Sequence, residues 1–158
     1  MPGEPACPKY KDLFCVDARD VLVLDPQGIE SSLIVRRADP FKLQVTLEFQ
    51  GRLAPLLLCC LCWEVCYCFD VCDYEPDGPP AQNKTYYSPR YCASSNRFLY
   101  DGAATEATIP PNFLDVATYH VTAIVKFYWV CRCRNDPQIA RPPISAFADG
   151  PVIEIYRG

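Results

Sequence analysis

This chain is poor in the residues that carry reaction chemistry. In 158 residues it has one histidine, one methionine and 7 glycines against 16 prolines. A lone histidine cannot supply both the base and its orienting partner around a nucleophile. The sequence also has no G-x-S-x-G elbow and no glycine-rich phosphate loop. His120 reads as a solvated side chain on a polar strand face with Thr118, Thr122 and Lys126. Glu64 and Asp70, on one face of an extended strand, stand roughly 20 Å apart at strand rise, whereas an acid–base carboxylate pair needs under ~10 Å. The expectation is a protein that is not an enzyme, with no catalytic residues.

Other absences narrow the partners. No apolar run reaches the ~18–20 residues that span a bilayer, and the start, M-P-G-E-P-A-C-P-K-Y-K, lacks the apolar core of a secretory leader. Lysine and arginine are dispersed and the formal net charge is −4, which argues against nucleic acid. The expected partner is protein, either a second copy of the chain or another assembly subunit, with no nucleic acid and no membrane span.

What the chain has in excess is sulfur. Eleven cysteines point to an oxidising compartment, while the missing leader points to a reducing one, so the sequence leaves localisation open. Five sulfurs crowd into Cys59–Asp73, C-C-L-C-W-E-V-C-Y-C-F-D-V-C-D, if one strand face is counted. Read as a strand, its odd positions form an apolar row: Leu61, Trp63, Val65, Tyr67, Phe69 and Val71. Its even positions are Cys60, Cys62, Glu64, Cys66, Cys68, Asp70 and Cys72. The candidates for disulfide or thiol chemistry are therefore Cys60, Cys62, Cys66, Cys68, Cys72, Cys131 and Cys133. Cysteine packs as a small hydrophobe, so these sulfurs fill a core, form cross-strand disulfides or hold a metal. Neighbours i and i+2 on a strand lie ~6.5–7 Å apart at Cα, and two thiolates on one zinc lie under about 4 Å apart. A single strand is thus not expected to close a metal site, and the C-x₂-C knuckle spacing is absent. No cofactor is expected. The alternative is zinc or copper held by Cys60, Cys62, Cys66, Cys68, Cys131 and Cys133. The odd count leaves at least one thiol unpaired within the chain, with Cys7 the candidate.

Along the chain, residues 1–18 read as a tail or edge segment and 19–158 as a single domain. Short strands are expected at 19–25 and 32–35. Phe41–Gln50 alternates apolar and polar residues throughout, the mark of a half-buried antiparallel strand. Residues 52–58 form a connector with room for a helical turn. Residues 74–96 read as a long irregular insert whose tyrosines, with their neighbour, give the interface candidates Tyr86, Tyr87, Tyr91 and Tyr100. Short strands follow at 97–100 and 105–109. A second long strand spans Thr118–Cys133, with Tyr119, Val121, Ala123, Val125, Phe127 and Trp129 on one face. A proline-rich loop is expected over 135–150 and a last strand over 151–156. The core is expected to hold Phe41, Leu43, Val45, Leu47, Val121, Val125 and Phe127.

About eight strands with turn signals between them and no βαβ alternation predict an all-β chain, a two-layer antiparallel sandwich. The alternating strand Phe41–Phe49, the Trp63 strand after it and the run I-P-P-N-F-L-D-V-A-T-Y-H-V (Ile109–Val121) resemble bacterial immunoglobulin-like or fibronectin-III-like domains. That resemblance implies adhesion, assembly or scaffold roles. The sequence thus points to a structural or assembly subunit of a filament, shell or cell-surface layer, cross-linked by cysteines. A thiolate metal-binding or redox protein is the second reading, and a ligand- or carbohydrate-binding module the third.

Overall fold

The computed structural model describes residues 13–27, 33–73, 78, 80–130, 139–140 and 144–158. Among them eleven strands build two sheets. In chain order they are β1 (Cys15–Leu24), β2 (Ile34–Arg36), β3 (Phe41–Gln50), β4 (Leu61–Asp73), β5 (Lys84–Tyr87), β6 (Tyr91–Cys92), β7 (Leu99–Tyr100), β8 (Ala107–Ile109), β9 (Ala117–Val130), β10 (Ile139–Ala140) and β11 (Ser145–Tyr156). One short helix, α1 (Ala54–Leu58), fills the connector before β4, with Pro55 in its first turn.

In the smaller sheet β3 is central, with β1 on one side and β7 and β8 in succession on the other. The larger sheet runs β2-β11-β9-β4-β5, with β6 also on β4 and β10 on β9. It is curled into a half-barrel. All pairings are antiparallel except β2 with β11, which run parallel. No helix among the described residues is long and apolar enough to cross a membrane.

Strand alternation sets the core. Phe41, Leu43, Val45, Leu47 and Phe49 all point inward from β3, and Leu61, Trp63, Val65, Tyr67 and Phe69 from β4. Tyr119, Val121, Ala123, Val125 and Phe127 do the same from β9. All seven expected core residues are buried. The two sheets meet through rings: Phe49 lies 5.5 Å from Trp63 and 6.1 Å from Phe127, and Phe41 stacks edge-on to Phe69 at 6.3 Å.

A 3-10 turn at Gly102–Ala104 plugs the gap between β7 and β8 along β3. Strand β3 loses its backbone neighbour at Val45, and the Thr105 hydroxyl takes that place. It donates to Val45 O at 2.6 Å and accepts from Val45 N–H at 3.2 Å. The same turn serves the opposite sheet, since Trp63 Nε1 donates to Ala104 O at 3.0 Å and Tyr67 Oη to Thr105 O at 2.6 Å. Burial drives the Tyr67 phenol pKa up. Among the described residues no buried side-chain polar atom is left without a partner.

Several boundaries differ from the sequence reading. Strand β1 begins at Cys15, inside the segment read as a tail or edge segment, and forms an edge of the smaller sheet; it is bent where Asp20 takes a positive φ of 60° and the pairing with β3 shifts register. The stretch read as an irregular insert contributes β5 and β6, both laid on the edge of β4. Strand β11 starts at Ser145, within the expected loop, because Ala146 and Ala148 are small enough to pack inward against β9.

Candidate functional site

The outward face of the larger sheet carries the unusual chemistry. Because β11, β9, β4 and β5 pair in register, Phe147 stands opposite Ile124, Ile124 opposite Cys66, and Cys66 opposite Tyr87. This row crosses four strands on the solvent side. Phe147 is 59% exposed, Tyr87 43% and Ile124 38%. Cys66, at its centre, is only 5% exposed.

Polar rungs flank the row on both sides. On one side Lys126 donates to the Tyr87 hydroxyl at 2.7 Å, and Arg90 bridges to Glu64 at 3.3 Å while lying over the Tyr128 ring at 4.7 Å. The hydrogen bond from Lys126 to Tyr87 raises the lysine pKa. On the other side come Asp149, Thr122, Cys68 and Thr85, then Val152, His120 and Asp70. His120 Nε2 lies 2.7 Å from the exposed Asp149 carboxylate. The contact lies at the surface, with the imidazole about one-third exposed.

The sulfurs divide by position. Cys62 and Cys92, directly opposite on β4 and β6, form a disulfide. Cys15 is also disulfide-bonded. Cys66 and Cys68 are thiols with their sulfurs 3.8 Å apart. The sulfurs approach more closely than the ~6.5–7 Å Cα spacing of strand neighbours, because the side chains lean toward each other, and the two thiols stay unbridged. Cys68 is pushed up to about 11, first by burial and then by the neighbouring Cys66 sulfur. Cys59 Sγ lies 3.6 Å from Cys60 Sγ at the turn before β4, and Cys72 is exposed near its end. Cys7, Cys131 and Cys133 lie outside the described residues, as do the arginines after them. Among the described residues no group of three or more His, Cys, Asp or Glu side chains is set to hold a metal.

No protein-family model and no curated protein matches this chain.

The tyrosines separate as sharply as the sulfurs. Tyr100 is fully buried against Trp63 at 4.8 Å and its hydroxyl exchanges hydrogen bonds with the Ser94 backbone. It is core, and it leaves the list of interface candidates. Tyr91 packs on Trp63 at 5.6 Å and Tyr86 on Phe113 at 5.3 Å, so both are half-buried supports of the core edge. Only Tyr87 of the four faces outward on the exposed row. Phe147 and Ile124 were missed by sequence reasoning. Ile124 sits at an outward position of a visibly alternating strand, and that was the available signal.

Proposed function

We propose that the chain is a non-enzymatic, immunoglobulin-like structural domain that assembles with copies of itself through the outward face of its larger sheet. The observation that carries this reading is the exposed row Phe147–Ile124–Cys66–Tyr87. Contiguous apolar side chains on the open face of a sheet mark interaction surfaces. Charge complementarity favours a second copy as the occupant. The row divides a side bearing Lys126 and the Arg90–Glu64 ion pair from one bearing Asp149, Asp70 and His120, so that Lys126 stands against a surplus of carboxylates. A two-fold axis along the row sets each side against its opposite in the partner.

The immunoglobulin-like assignment rests on four features. Trp63 sits on β4 in the core, the first short strand of the larger sheet runs parallel to the last, and the two sheets share one aromatic interior. Tyr119 Oη also donates to Asp115 O at 2.9 Å, the arrangement of a tyrosine corner. Two residues on, where antibody domains carry the second sulfur of their inter-sheet disulfide, this chain has buried Val121. The Cys62–Cys92 disulfide instead fastens the outer edge of one sheet.

Sedimentation velocity across a concentration series tests the assembly reading. The wild-type chain should self-associate, and the double variant Phe147→Lys, Ile124→Lys should stay monomeric with an unchanged melting temperature. A wild-type chain that is monomeric throughout sinks it.

A further inference from the structure

We propose that Cys66 and Cys68 form a preset two-thiolate site for a tetrahedral, thiophilic d¹⁰ metal ion of the zinc type. The proposal does not depend on the assembly reading. Its basis is the separation of the two sulfurs, 3.8 Å on one face of one strand. Two thiolates bound at about 2.3 Å around a tetrahedral centre subtend about 3.8 Å. A linear two-coordinate ion with the same bonds would hold them roughly 4.6 Å apart, so the tetrahedral ion is the one that fits without moving either side chain.

The surroundings fit the same ion. Cys66 is held between the rung partners Ile124 and Tyr87, one on each side, which fixes the first sulfur. Cys68 is only partly covered, and it opens the pair to solvent. Thr122, opposite Cys68 on β9, offers its hydroxyl to the Cys68 sulfur and serves as an outer support. Asp149 and Asp70 lie on this and the next rung and add negative potential. Lys126 opposes them from the rung beyond Cys66, with its amine bonded to the Tyr87 hydroxyl at 2.7 Å.

Binding forms two metal–sulfur bonds and breaks two S–H bonds. Both protons go to solvent and no electrons are transferred.

The test is equilibrium dialysis of Zn²⁺ against protein reduced mildly enough to keep Cys62–Cys92 closed, with metal counted by atomic emission. Cd²⁺ serves as a second probe through its thiolate charge-transfer absorption. One ion per chain should be lost in Cys66→Ala and in Cys68→Ala, and retained in Cys59→Ala and Cys72→Ala. Zn²⁺ should also protect Cys68 from iodoacetamide in the wild-type chain, a readout that needs no variant to fold. The proposal is overturned if the wild type binds no zinc, if both pair variants bind as much as the wild type, or if Cys68 alkylates equally fast with and without the ion.

Discussion

Replacing Thr105 by valine changes one hydroxyl for a methyl at nearly constant volume, in a side chain that is fully buried. What it removes is the substitute for a missing strand. In the native chain the hydroxyl bonds to both the N–H and the C=O of Val45, in the middle of β3. In the variant both backbone groups stay in the core with nothing to bond. A buried polar group left unsatisfied costs about 1–3 kcal/mol, so the pair should cost about 2–6 kcal/mol. Set against a typical domain stability of ~5–15 kcal/mol, that is enough to unfold a substantial fraction of a marginal chain. Thr105→Ser keeps the hydroxyl and loses one methyl group, which should cost about 1 kcal/mol. Urea denaturation followed by tryptophan fluorescence measures both, since Trp63 donates its ring N–H to the same turn. If Thr105→Val falls within 0.5 kcal/mol of wild type, taken as roughly the scatter of neutral surface substitutions, the turn is not holding the sheets as described.

Gly150→Ala should destabilise by about 1–3 kcal/mol or more, because a Cβ there would stand 2.5 Å from Val121 O and 3.1 Å from the Val21 side chain; thermal melts decide it. Opening Cys62–Cys92 with Cys92→Ala should cost about 3–4 kcal/mol by the chain-entropy relation for a separation of 30 residues, read from denaturant midpoints under non-reducing conditions. Alkaline pH should destabilise the fold. Burial pushes Tyr119 up to about 12 from 10 and raises Tyr67 as well, so the unfolded chain ionises first. The stability they contribute is full below pH 10 and is lost as pH rises through their folded values. Each should contribute a slope approaching about 1.4 kcal/mol per pH unit, and Tyr67→Phe should flatten the measured curve by one such group. His120→Ala should change stability by under ~1 kcal/mol, since its partner Asp149 is solvent-exposed; a larger loss in a thermal melt would contradict a surface role.

The long strands were legible because one physical rule dominates each. Phe41–Gln50 alternates without a fault and every apolar member is buried. The sulfur-rich strand and its partner β9 obey the same rule, down to the aromatic row facing inward. Residues 84–92 were not legible, since Lys84–Tyr87 has no apolar alternation of its own and becomes a strand by bonding to the exposed edge of β4. The same limit hid Tyr100, whose tyrosine-rich neighbourhood suggested a surface although its ring completes the cluster around Trp63. Thr105 carried no local signal, because its role is defined by a gap between two strands that pair with a third. Of the candidate site, the one-sided sulfur row was readable from spacing, but the 3.8 Å approach of Cys66 to Cys68 was not, because Cα spacing does not fix which way the side chains lean.

The pairing of β4 with β9 also sets a timetable for folding. These two strands form the spine of the larger sheet, yet Leu61 must find Trp129, and the intervening β5 to β8 must be accommodated before they meet. Strand β11 pairs with β9 from farther along the chain still, and short β2 finds its parallel neighbour only in β11, at the other end of the sequence. Contacts so distant along the chain place a protein among slow folders, on the scale of roughly milliseconds to seconds. Throughout that interval the sulfurs of β4 lie uncovered together. A nascent chain meeting oxidant before its spine closes therefore has many wrong pairings within reach, and its yield should depend on how quickly that spine forms relative to sulfur oxidation.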